Sequence, residues 1–135
     1  MSDAPIYWHD LDAERALLGA WLLNPARLIE HDVPAELFYA RHQDIARALR
    51  DPAHVHRPLG SRLVAVAAQL QAGGLLDEIG GAATLEFLLT CASTDVERDV
   101  ARVRQCATRR ATDPAYDPAA PRVLFEVSIT AEPPR

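Results

Sequence analysis

The stretch Asp10-Leu-Asp-Ala-Glu-Arg-Ala-Leu-Leu-Gly-Ala-Trp-Leu-Leu-Asn-Pro25 decides the reading of this chain. Ala13, Leu17 and Ala20, together with Leu18, Trp21 and Leu22, fall on one broad stripe at helical spacing. Asp10 or Asp12 is placed to cap that helix, because a carboxylate accepts bonds from the free N–H groups of a first turn. Asn24-Pro25 ends it, since the residue before a proline disfavours the α region. Gly19 inside the helix costs about 1 kcal/mol relative to alanine, and a close helix–helix approach would account for that cost. Trp21, Leu17, Leu18, Phe38 and Leu85 are the bulkiest residues on the inward stripes and define the expected centre of the core.

Working outward, Pro25 suits the first turn of a short second helix through Leu28 and Ile29. Pro34-Ala-Glu-Leu begins a turn that presents Phe38 and Tyr39, and a third helix then carries His42, Ile45, Ala46 and Leu49 until Asp51-Pro52. Pro52 to Gly60 reads as a loop. Ser61 is the expected cap of a fourth helix with Val64, Ala67, Ala68 and Leu70 inward, closed by Gly73-Gly74. Gly80-Gly81 opens a fifth helix with Leu85, Leu88 and Leu89 turned inward. Thr94-Asp-Val-Glu97 reads as a capping box for a sixth. Val96, Val100, Val103 and Ala107 follow as a narrow seam, and Arg98, Arg102, Arg104, Arg109 and Arg110 occupy the other faces. This arginine cluster is either a solvated face or a docking surface for an acidic partner.

From Thr112 the composition changes, with five of the ten prolines at 114, 118, 121, 133 and 134. Proline at 114 stops the sixth helix nearby, because it lacks an N–H and clashes with the preceding turn. Val123-Leu-Phe-Glu-Val-Ser-Ile129 is the one strand-like run: an edge strand, a docking peptide or a disordered tail. The expected organisation is a helical domain over residues 8–111 and a proline-rich tail over 112–135.

The bulk numbers fit one small domain. The 135 residues are 49% hydrophobic, a globular proportion. No apolar run approaches the roughly 18 residues that span a bilayer, and Met1-Ser-Asp-Ala-Pro-Ile lacks a basic leader region. The expected location is therefore cytoplasmic. Cys91 and Cys106 do not form a CxxC pair and are expected as two buried thiols. A net charge of −5 argues against general nucleic-acid binding.

The chemistry-bearing candidates are few. All fourteen basic residues are arginine, so a P-loop, which requires a lysine, cannot be made. His54 and His56 have no third ligand at useful spacing, so no metal site is expected. His42 shares a side with Ile45 and Ala46 and reads as a hydrogen-bonded histidine at the edge of the core. Ser93 and Cys91 have no base or orienting acid placed by sequence. No catalytic residue and no cofactor are expected.

Three stretches in order resemble the amino-terminal domain of DnaB-type replicative DNA helicases. Asp12, Ala13, Glu14, Leu18 and Gly19 match that family's opening, and Phe38-Tyr39 with His42 and Ile45 match its aromatic pair and following helix. Leu70, Gly74, Leu76, Gly80 and Gly81 match its later leucine–glycine section. The resemblance covers roughly residues 8 to 110. It implies an all-α fold, a compact orthogonal bundle of about six helices, acting as a collar module without a motor. It also implies partners among replication proteins, a hexameric helicase or the carboxy-terminal domain of a primase. Where the family usually has an aspartate before the fourth helix, this chain has Ser61-Arg62. Where the family's sixth helix extends into a long hairpin, Pro114 interrupts it, so weak self-association as monomer or dimer is expected. The expected partner-binding residues are Arg98, Arg102, Arg104, Arg109, Tyr7 and Trp8. The alternatives are a DNA-binding regulator that uses the arginine-bearing last helix, or a degenerate fragment of a helicase gene.

Overall fold

The computed structural model describes residues 8–31 and 33–114. Among them there are six α-helices: α1 (Leu11–Leu23), α2 (Ala26–His31), α3 (Ala40–Leu49), α4 (Leu59–Ala72), α5 (Ala82–Thr90) and α6 (Val96–Thr112). Short 3-10 turns at Ala35–Leu37 and Pro52–His54 connect them, and no strand occurs among the described residues. The strand-like run Val123–Ile129 and the rest of the proline-rich stretch lie outside the described residues, as does Tyr7.

α1 is the hub, packing against α5, α6, α3, α2 and α4. Its apolar content exceeds one stripe: Leu11, Ala13, Leu17, Leu18, Ala20, Trp21 and Leu22 are all buried. A helix apolar on most of its circumference belongs in an interior. Trp21 and Phe38, both fully buried, meet edge-on with ring centroids 5.8 Å apart, and Leu17, Leu18 and Leu85 belong to the same core. Gly19 marks the closest approach. A Cβ there would lie 2.0 Å from the Leu88 carbonyl oxygen and 3.0 Å from Ala92, so only glycine lets α1 press this near the end of α5. The Ser93 N–H donates to the Ala16 carbonyl across the same contact at 2.9 Å.

Helix ends follow local chemistry, with three departures from the sequence reading. Asp10 caps α1 by accepting from the Ala13 N–H at 3.0 Å. Gly74, at φ +74°, closes α4. Its N–H reaches the Gln71 carbonyl, and the Leu75 N–H reaches that of Leu70, the paired bonds of a left-handed helix stop. Ser61 does not cap α4: the helix begins at Leu59 with Pro58 at the cap position and no side-chain cap bond. Pro58, extended at φ −60° and ψ 156°, takes the cap position instead, and the helix starts three residues earlier than a Ser61 cap would place it. Nor is the stretch from Pro52 a plain loop, because Asp51 accepts from the Ala53 N–H, nucleates a 3-10 turn and buries His54. Finally, Thr94 is not the cap of α6. Asp95 is, accepting from the Arg98 N–H at 3.1 Å, and Ser93 Oγ in turn accepts from the Asp95 N–H. The carboxylate outcompetes the hydroxyl at a helix start because it meets the dipole with a full charge.

Candidate interaction surface

α6 has two faces. Val96, Val100, Val103 and Cys106 are buried against α1 and the core, so the inward seam runs on through Cys106, while Ala107 is half-buried. Burial pushes the Cys106 thiol up to about 11, making it an inert apolar filler. Cys91 is half-buried, not buried as expected, and both cysteines are free.

The arginines on the remaining surface divide into two groups. Arg102 donates from Nε to Asp10 Oδ2 at 2.7 Å, tying α6 to the cap of α1. Arg104 reaches the His31 carbonyl at 3.0 Å, and Arg110 donates to the carbonyls of Trp8 and Leu37. These three knit the chain together. Arg98 and Arg109 are more exposed and lean on their neighbours Asp99 and Asp113. An open groove of about 570 Å³ runs along this side, lined by Ala101, Arg104, Gln105, Thr108, Arg109 and Thr112. A second, of about 430 Å³, lies between α1 and α6 and is walled by Asp10, Asp12, Asp99, Arg98 and Arg102. Trp8 is half-buried, its indole N–H donating to Asp113 Oδ2 at 3.3 Å. Arg98, Arg102, Arg104 and Arg109 thus share one helix, and Trp8 sits at that helix's far end.

Sequence reading did not single out two buried polar groups. Glu14, on the inward side of α1 and 1% exposed, accepts from the Tyr39 N–H at 3.0 Å. Its oxygens lie 2.6 Å from His42 Nδ1 and 3.3 Å from His9 Nδ1. Burial pushes this carboxyl up, but the bonds and charge from His42 and His9 outweigh it and hold it below the ordinary carboxylate value. His42 is therefore the hydrogen-bonded histidine expected at the edge of the core. The second group is Arg62, whose guanidinium donates to the carbonyls of Leu22, Leu23, His54 and Arg57. It satisfies the free C-terminal carbonyls of α1 from another helix. A charged residue on an apolar stripe was the available signal for Glu14. Nothing local marks Arg62, because every acceptor it meets is backbone.

Among the described residues no cluster of His, Cys, Asp or Glu is arranged to hold a metal, and no helix is long and apolar enough to cross a membrane. His54 Nε2 pairs with Gln69 Oε1 at 2.8 Å, away from any ligand set.

This arrangement of a central helix ringed by five others, with an acid–Ala–Glu–x–x–x–Leu–Gly opening, is that of a helicase collar domain. The profile of the DnaB-like helicase N terminal domain matches residues 7–105, and the chain belongs to that family. It is similar to the replicative DNA helicase DnaB of Geobacillus stearothermophilus, with 38% identity over 87 residues. That match covers 62% of this chain but 19% of the relative, so the chain spans about a fifth of that helicase's length. Its fold is also similar to the crystal structure of the N-terminal domain of DnaB helicase from Mycobacterium tuberculosis. There the TM-score is 0.65 and the identity 26%, covering 93% of this chain and 96% of the other.

Proposed function

We propose that this domain is a non-enzymatic protein–protein adaptor of the replication machinery, with residues 8–111 as the interacting unit. It binds a replicative helicase or the carboxy-terminal domain of a primase and modulates helicase loading or priming without supplying ATPase activity. The observation that carries this reading is membership of the collar-domain family in a sequence with no lysine, and hence no P-loop. The exposed side of α6, with Arg104 and Arg109 lining one open groove and Arg98 lining a second beside α1, supports it as the docking face for an acidic surface. Trp8 stands at the far end of that face, and Tyr7, its neighbour in sequence, is proposed as a further partner-binding residue. Self-association through the head alone is weak, giving monomer or dimer.

Binding of the full chain to immobilised helicase or primase tests the reading. Saturable binding that the triple change Arg98→Glu, Arg104→Glu, Arg109→Glu abolishes, with folding unchanged, is the expected result. Absence of binding to either protein overturns it. The rival reading, a DNA-binding regulator, predicts gel retardation with steep salt dependence instead. It is disfavoured because the net charge is −5 and because Arg102 and Arg110 already serve contacts within the chain.

A further inference from the structure

The cluster around Glu14 joins three parts of the chain that are distant in sequence: the start of α1 with the segment before it, the start of α3, and the end of α6. His9 comes from the segment before α1, Glu14 from α1, Tyr39 and His42 from the start of α3, and Arg110 from the last turns of α6. His9 also meets the Tyr39 ring edge-on at 5.2 Å. Around the Cys106 thiol of α6, which Glu14 also reaches electrostatically, stand Asp10 at the cap of α1 and Arg102 and Arg110 on α6, and Asp113 lies just beyond that helix.

Donor and acceptor roles around His9 are mutually exclusive. Its Nδ1 lies 3.3 Å from Glu14 Oε2 and 3.2 Å from Arg110 Nη1. A carboxylate only accepts and a guanidinium only donates. When Nδ1 carries a proton it bonds to Glu14; when it does not, it accepts from Arg110. The ionised carboxylate takes three N–H groups at once, those of Tyr39, His42 and His9. In that state His9 Nδ1 is a donor, and the Arg110 guanidinium is left with the carbonyls of Trp8 and Leu37. If Glu14 becomes a carboxylic acid while the imidazoles are doubly protonated, its hydroxyl has no imidazole acceptor. His9 then presents a positive charge to Arg110 in a buried site, where such repulsion is poorly screened.

We propose that this cluster is a proton-operated latch: ionised Glu14 holds the segment Trp8–Asp10 against α6, and protonation of the cluster releases it while the apolar core stays packed. The separation is built into α1. Glu14 lies one turn ahead of Leu17 and Leu18, whereas Trp21 and Gly19 make the apolar contacts to Phe38 and α5 further along. Release exposes Trp8 and frees Arg110, in the last turn of α6, from the Trp8 carbonyl, at the end where the arginine face terminates.

The two tryptophans report on it without modification, because Trp21 is fully buried and Trp8 half-buried. Acrylamide quenching of the full chain is followed alongside its far-ultraviolet circular dichroism as pH falls from neutral. The expected result is loss of Trp8 protection while the helical signal holds. Glu14→Gln and, independently, Arg110→Gln should leave Trp8 quenchable already at neutral pH, with the acid transition gone. Asp113→Asn should retain that transition, which separates the latch from the indole's own partner. Loss of quenching protection and helicity in a single transition overturns the latch. So does a protected Trp8 at neutral pH in both the Glu14 and the Arg110 variants, or an acid transition that Asp113→Asn abolishes and Glu14→Gln retains.

Discussion

The two ends of α1 hold the same bundle together by different physics. Toward its C-terminal end the helix is dry and close-packed, with Trp21 against Phe38 and Gly19 against the Leu88 carbonyl, up to the last carbonyls, which Arg62 caps. The N-terminal end is polar, with Asp10 paired to Arg102 and Glu14 buried among His9, His42 and the Tyr39 N–H. The dry end depends on shape and is indifferent to pH. The polar end depends on charge state and on partners contributed by helices far away in sequence. A small domain can therefore have a robust core and a titratable edge on a single helix.

The comparison is sharpest when each end is broken in turn. Trp21→Ala should have the largest effect, a loss of about 3–5 kcal/mol, read as a much lower thermal midpoint. A midpoint within a degree or two of the parent would show that the dry end is not the anchor. Gly19→Ala comes next. The added methyl improves helix propensity by about 1 kcal/mol, yet overpacking against a backbone carbonyl costs about 1–3 kcal/mol or more. Net destabilisation in chemical denaturation is expected, and a stabilised variant would mean that α1 and α5 sit further apart.

At the polar end, Glu14→Gln should cost on the order of 2 kcal/mol, the scale of hydrogen bonds to a charged group. It should also change the pH dependence of stability. Because Glu14 is held below the ordinary carboxylate value in the folded chain, its contribution is full above that value. The contribution is lost as pH falls through the lowered folded value, so the parent should weaken in acid more steeply than the variant. Parallel stability–pH curves would remove Glu14 from the account. The smallest effect tests the start of α6: Asp95→Ala should cost about 1 kcal/mol as a lost cap, while Thr94→Ala should be close to neutral. The reverse order would restore the capping box predicted from the sequence.

The candidate surface was partly legible from the start. Helical periodicity placed Val96, Val100 and Val103 inward, so Arg98, Arg104 and Arg109 had to lie outside, as they do. Periodicity cannot say which exposed arginine has already been claimed by another part of the fold. Arg102 is claimed by Asp10 and Arg110 by two distant carbonyls. Those pairings depend on tertiary placement, with 92 residues separating the first pair.

By itself, the sequence determined that the described chain is helical, and that Trp21, Leu17, Leu18, Phe38 and Leu85 form its centre. Those features rest on local propensity and on a 3.6-residue repeat, and both act within a few turns of chain. Only the tertiary structure decided that Glu14 would be a buried acceptor and that Arg62 would cap another helix's carbonyls. Both are bonds between elements distant in sequence, and a polar group's partner is set by where the fold brings it.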